Sequence, residues 1–263
     1  PDWASVQIHS NGGTPMRIAV WHNLPSGGGK RALYYHVRGL VERGHTVEAW
    51  CPPSADQTYL PLGELVTEHT VPFSWKKMSS RWPIGRSIAR YHNIVDKIKA
   101  MDQHCQHCAE EIARGGFDVL FANSCTFFRT TSIGRHTRIP KVIYLQEPYR
   151  WLYEARPRLP WLALPSPAGS GCSPGYLRRF IEDLIKVHAL RVQAREELKN
   201  ALGFDAILVN SLFSRESVLR AYGIDARVCY LGVDTALFRP LAIERQTIVL
   251  SVGLVYEGKG LER

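Results

Sequence analysis

The stretch Met16–Cys51, MRIAVWHNLPSGGGKRALYYHVRGLVERGHTVEAWC, restricts the fold of this chain more than any other. A short apolar run (Ile18, Ala19, Val20, Trp21) leads into a proline-containing bend and the glycines Gly27, Gly28 and Gly29. Leu33, Val37, Leu40 and Val41 then recur at helical spacing, and Gly44 provides the stop before a second strand-like run from His45 to Trp50. Strand, helix and strand in so few residues make a βαβ unit, with parallel strands and a right-handed crossover. Its glycine turn leaves backbone N–H groups and a helix N-terminus facing a crevice, where open parallel sheets bind anionic ligands. The spacing matches neither common phosphate fingerprint. Lys30, Arg31 and Ala32 follow the third glycine, so G-x-G-x-x-G fails, and a P-loop would need Gly at Leu24 and Ser or Thr at Arg31. A plain glycine-rich turn without a ligand stays open as the alternative.

Further units of the same kind follow. Leu65 to Val71 is a short strand candidate, and helical spacing starts near Ile84 and ends at Gly115-Gly116. Phe117 to Ala122 and Lys141 to Leu145 read as buried parallel strands. Tyr176 to Leu202 reads as one long helix, Asp205 to Val209 as a strand, and Ser211 or Ser214 as the cap of the next helix. Ala226 to Tyr230 and Thr247 to Val252 complete the strands, with a Pro, Gly and Ser-rich loop at 157–174. The fold class is α/β, a Rossmann-like parallel sheet flanked by helices. Polar residues at carboxyl ends of such strands are ligand candidates, which singles out Asn123, Gln146 and Glu147; turn capping is the alternative for Asn123.

The chain has 263 residues, enough for one large or two modest domains, and carries a formal charge of +9. That charge fits nucleic acid, an anionic membrane surface or phosphorylated ligands, but no nucleic-acid-binding motif is present, so nucleic acid is not an expected partner. Phe73 to Ala100 concentrates Lys76, Lys77, Arg81, Arg86, Arg90, Lys97 and Lys99 against Asp96, with Trp75, Trp82 and Tyr91 between them. It suits a membrane surface or a phosphate-rich ligand, against the plainer reading of a domain helix with solvated charges. No apolar run approaches the roughly 18 residues of a membrane span, and no signal peptide pattern is present. The cysteines Cys51, Cys105, Cys108, Cys125, Cys172 and Cys229 are scattered, and read as reduced and cytoplasmic. His104-Cys105-Gln106-His107-Cys108 lacks the second ligand pair of a structural zinc site, so it reads as a polar helix surface and no metal is expected.

Several segments together resemble glycosyltransferase family 4. The glycine turn with Leu40-Val41-Glu42-Arg43-Gly44-His45-Thr46-Val47 is similar to the family's first helix-to-strand join. Asp205-Ala206-Ile207-Leu208-Val209-Asn210-Ser211, then Gly232-Val233-Asp234 with Phe238-Arg239-Pro240, then Ser251-Val252-Gly253 with Lys259-Gly260, follow in the family's order. The segment Tyr144 to Trp151 resembles one in which some members carry His near the reacting sugar; here that position is Gln146. Leu254 stands where the family commonly has Arg.

The resemblance implies the N-terminal half of a two-domain GT-B enzyme, a retaining transferase using a UDP- or GDP-linked sugar. It implies hexosyl transfer to a cell-envelope, lipid-linked or polysaccharide acceptor, without a cofactor, in polysaccharide biosynthesis. The expected layout is an irregular extension at 1–15, an acceptor domain at 16–232, a hinge at 233–246 and the first strand of a donor domain at 247–263. Gly27, Gly28, Gly29 and Lys259 are the candidates for the donor diphosphate, and Gln146 and Glu147 for catalysis. Lys30, Asn123, Ser124 and Arg150 are the candidates for the acceptor. The expected location is cytoplasmic, peripheral on the inner face of a membrane. The sequence reads as cut at the start of its second unit, so this chain alone is expected to be catalytically silent. The alternative is a Rossmann-like binding module, or a subunit completed by another chain.

Overall fold

Seven strands are present in the computed structural model, which describes residues 14–153, 174–240 and 247–248: β1 (Arg17–Asn23), β2 (Thr46–Cys51), β3 (Thr67–Thr70), β4 (Val119–Cys125), β5 (Lys141–Tyr144), β6 (Ala206–Val209) and β7 (Arg227–Val228). All pair in parallel in one sheet, in the order β3-β2-β1-β4-β5-β6-β7. The helices are α1 (Gly28–Glu42), α2 (Pro83–Gly115), α3 (Ile133–His136), α4 (Arg150–Tyr153), α5 (Pro174–Ala201) and α6 (Leu212–Tyr222). The α/β Rossmann-like sheet expected from the sequence is therefore the observed one. The chain winds outward from β1 to β3, returns to β4 beside β1, and winds the other way. This reversal between β1 and β4 is the switch point at which such sheets open a crevice.

Strand alternation divides the core. Ile18 and Val20 of β1 pack with Leu33 and Val37 of α1, whereas Ala19 and Trp21 join the layer of α2 with Cys105, Cys108 and Ile112. Fully burying Leu33 or Val37 contributes about 1.5–3 kcal/mol each. The α1 stop works as Gly44 suggests. Gly44 has φ 84°, its N–H reaches Val41 C=O (2.9 Å), and His45 N–H reaches Leu40 C=O (3.2 Å). Pro83 at the start and Gly116 (φ 65°) past the end delimit α2. Ser211 caps α6 by accepting the Ser214 N–H at 3.1 Å.

Two details differ from the sequence reading. Asn123 and Ser124 lie within β4 rather than after it, because the ladder runs on through Asn123↔Tyr144 and Asn23↔Cys125. The His104–Cys108 stretch is also no polar surface: His104, Cys105 and Cys108 are buried on the core side of α2, and only Gln106 and His107 are exposed. Residues 157–173 and most of the strand expected at 247–252 lie outside the described residues.

Contacts divide the chain into two units, Pro1–Leu231 and Gly232–Arg263. In the second, Asp234 ties a tight turn: its carboxylate accepts the N–H groups of Ala236 (3.0 Å) and Leu237 (3.2 Å), and its C=O accepts Phe238 N–H at 2.8 Å. Among the described residues no helix is long and apolar enough to cross a membrane. Cys51, Cys105, Cys108, Cys125 and Cys229 are free thiols, and Cys172 lies outside the described residues.

Candidate functional site

The glycine turn sits at the carboxyl end of β1, beside the switch point. Gly27 adopts φ 137°, a backbone that side chains avoid, and its C=O accepts the first helical hydrogen bond, from Arg31 N–H at 3.0 Å. The N–H groups of Gly28, Gly29 and Lys30 fall in the first turn and have no partner within the helix. Gly27 and Gly28 are exposed, so these donors and the positive end of the α1 dipole face outward.

Gln146 meets this turn from β5. A Cβ added at Gly29 would lie 3.2 Å from Gln146 Nε2 and 3.6 Å from its Oε1, so the glycine is what admits the amide. Gln146 itself has φ 64° and is the centre of a three-residue turn closed by Glu147 N–H on Leu145 C=O at 2.8 Å. Such a left-handed backbone on a residue other than glycine costs on the order of 1–3 kcal/mol and persists only where surroundings impose it. The structure thus brings together two segments that lie more than a hundred residues apart in sequence.

Other candidates occupy distinct places. Asn123 is buried with its Nδ2 unpartnered among the described residues. Ser124 is also buried, and its hydroxyl donates to Leu145 C=O at 2.6 Å, which fastens the end of β4 to the start of the Gln146 turn. Glu147 lies 3.8 Å from Arg129 and 4.0 Å from Arg150, both partly exposed pairs of small energetic weight that orient the carboxylate. Lys259 lies outside the described residues.

Lys30 points the other way. It is fully buried, with no hydrogen-bond partner for Nζ among the described residues, near His22, Cys51 and Glu68 from the ends of β1, β2 and β3. Burial lowers its pKa, and the charge of Glu68 opposes that shift. Burial raises the Glu68 carboxyl, but the His22 hydrogen bond (3.0 Å) and the His22 and Lys30 charges outweigh it and hold the pKa low. His22 is lowered by burial, and Cys51 is pushed up to about 11 by burial and by Glu68. His22, Cys51 and Glu68 offer ligand atoms within 4.8 Å of one another, the geometry of a small metal site. The Lys30 ammonium already brings positive charge to that cluster and disfavours a second cation.

Sequence reasoning missed Arg129 and Glu197. Glu197 of α5 is buried and accepts Arg129 N–H (2.9 Å), Thr130 N–H (2.9 Å) and Thr130 Oγ1 (2.7 Å). Burial raises its pKa, while the bonds to Thr130 oppose the rise. It clamps the loop after β4 to α5. One Glu of several in a helix of mixed charge carries no pattern that would have marked it.

The fold and the glycine–Gln146 contact place a polar cluster at the switch point of a parallel α/β sheet. Residues 26–237 match the family described as Glycosyltransferase Family 4, and the chain belongs to that family. No curated protein matches the chain. Among solved structures, Arabidopsis thaliana UGT89C1 complexed with UDP-L-rhamnose is 14% identical, with 84% of this chain and 52% of that chain covered and a TM-score of 0.46. Anabaena Alr3699/HepE in complex with UDP and glucose is 14% identical, with 86% and 47% covered and a TM-score of 0.44. A glycosyltransferase from Rickettsia africae is 14% identical, with 88% and 47% covered and a TM-score of 0.43. The chain spans about half the length of these structures.

Proposed function

We propose that this chain carries the acceptor-side half of a retaining glycosyltransferase that moves a hexosyl group from a UDP- or GDP-linked sugar to a glycan or lipid-linked acceptor. The observation that carries the reading is the contact of Gln146 with Gly29 at the α1 N-terminus. Departure of the nucleoside diphosphate develops negative charge, which fixed donors stabilise far better than mobile water. The Gly28 and Gly29 N–H groups, the α1 dipole and the Gln146 amide form such a set, with Lys259 as a cation in the family's second domain. Gln146 takes the place where some relatives have His. An amide donates and accepts hydrogen bonds but does not transfer protons at neutral pH, so its role is to orient a sugar hydroxyl or phosphate oxygen. Glu147, oriented by Arg129 and Arg150, is the nearby carboxylate, and Asn123 is the buried donor still open to a substrate oxygen. The layout of acceptor domain, hinge at 233–246 and donor domain from 247 belongs to this reading, as do a cytoplasmic location, peripheral on the inner face of a membrane, and silence of this chain by itself.

The test is nucleotide release from a panel of UDP- and GDP-sugars, run on this chain and on the longest product of its gene. Release by the longer product alone supports the reading. In that product Gln146→Ala should lower kcat/KM by about 10–100-fold, the loss of one preorganised donor. Gly29→Ala should lower it by a smaller factor, since the amide must give way by only a few tenths of an ångström. Full activity in both variants would overturn the assignment of this site.

A further inference from the structure

A concavity of about 430 Å³ opens between the N-terminal half of α2 and the loops after β4 and β5. One wall is the N-terminal half of α2, with Arg86, Arg90 and Lys97. The opposite wall is the loop after β4 with Phe127, the loop after β5 with Tyr149, and Gln193 of α5. Phe127 and Tyr149 follow the strand ends that bear Ser124 and Gln146, so the pocket borders the carboxyl edge of the sheet on the acceptor side.

The pocket is built rather than incidental. Asn93 of α2 accepts Met78 N–H (2.7 Å) and donates to Met78 C=O (2.8 Å), which pins the 78–80 loop as a rim. Glu197 fixes the β4 loop from below through Arg129 and Thr130. Lys97 is held over the rings of Phe127 (4.6 Å) and Trp75 (5.0 Å). Among the described residues, Arg86, Arg90 and Lys97 have no carboxylate partner, and the pocket lining includes no acid. Three cations converging on an aromatic-floored concavity repel one another until an anion joins them.

Resting on the transferase reading above, we propose that this pocket is the subsite for a phosphoryl group carried by the acceptor. Arg86 and Arg90 are its exposed ligands, Lys97 is its inner cation, and Phe127 and Tyr149 cover the adjoining apolar or sugar portion. The same chemistry serves a lipid headgroup phosphate or a soluble phosphorylated acceptor.

The experiment needs neither donor nor turnover, so its failure and failure of the transferase reading are distinguishable. Binding of the chain is measured to sn-glycerol 3-phosphate in solution and to phosphatidylcholine vesicles with and without phosphatidylglycerol. The comparison set is Arg86→Glu/Arg90→Glu, Ala89→Leu, which fills the pocket without changing charge, and Arg220→Glu, a charge change on the distant α6. Each variant is first matched to the parent by circular dichroism. At least one phosphate-bearing probe should bind, more weakly as salt rises. The double variant should lose at least about tenfold in affinity. Ala89→Leu should also lose affinity, and Arg220→Glu should not. Binding of the soluble probe assigns a free phosphorylated acceptor, and binding to anionic vesicles alone assigns a lipid-borne phosphate. No binding to either probe, parental binding by the double variant, or parental binding by Ala89→Leu would overturn the proposal.

Discussion

The two halves of α2 have opposite characters within one continuous helix of 33 residues. Its C-terminal half buries Met101, Cys105, Cys108, Ala109 and Ile112 against β1 and β4, a stripe at i, i+4, i+7, i+8 and i+11. Its N-terminal half buries only Ala89 and presents cations to the pocket. The polar letters mislead in both places. His104 belongs to the core because its two ring nitrogens are satisfied there: Nε2 accepts the Trp21 indole N–H at 3.3 Å, which leaves Nδ1–H to donate to Pro72 C=O at 3.3 Å. Arg86 and Arg90 have no such partners among the described residues, so they stay at the surface. Whether a polar side chain sits inside is decided by available partners, not by its own hydropathy.

Substitutions on the two halves should separate sharply. Ile112→Asp places an unpaired charge in the core and should cost more than about 4 kcal/mol, read as a collapsed urea midpoint or failure to fold. Glu197→Ala, where α5 anchors the β4 loop, strands the Arg129 and Thr130 donors and should cost about 2–3 kcal/mol. Faster amide exchange at Thr130 would locate the damage, whereas protected amides and an unchanged midpoint would break the account of the clamp.

A smaller effect comes from protonation. Burial holds His104 below its ordinary pKa, as it does His22 and His36. The unfolded chain then binds more protons than the fold as pH drops below about 6.5, so stability is full above that value and declines on acidification. Urea midpoints at pH 7 and pH 5 should show the decline, and His104→Phe should lessen it, with His22 and His36 supplying the rest. A pH-independent midpoint would contradict neutral burial. The smallest effect belongs to the basic half: Arg86→Glu with Arg90→Glu should leave stability within about 0.5 kcal/mol of the parent. A large loss there would show that these cations support the fold rather than serve a ligand.

The sheet was legible because its strands are short apolar runs bounded by turn residues, and because Gly44 and Ser211 do what their chemistry suggests. The glycine turn and Gln146 were legible as separate candidates, from their positions at strand ends. Their contact was not, since nothing in the sequence sets the left-handed backbone at Gln146. The direction of Lys30 was equally hidden: a lysine after three glycines suggests a ligand hand, yet Glu68, from a weak four-residue strand, draws it inward. Glu197 was invisible because its partners are backbone N–H groups of a loop with no signature. Periodicity reports which face is buried, but the pairing of single polar atoms depends on tertiary placement.

The sheet order has a consequence for how the chain reaches this state during synthesis. Central β1 pairs with β2 at once, but its other edge waits for β4, so Ile18 meets Val119 only after the whole of α2 has been made. Until then a nascent chain exposes a naked strand edge and the indole of Trp21, the surface that recruits chaperones or misassembles. Ribosome-stalled chains ending before Val119 should therefore be protease-sensitive in β1, and those extending well past Cys125 protected.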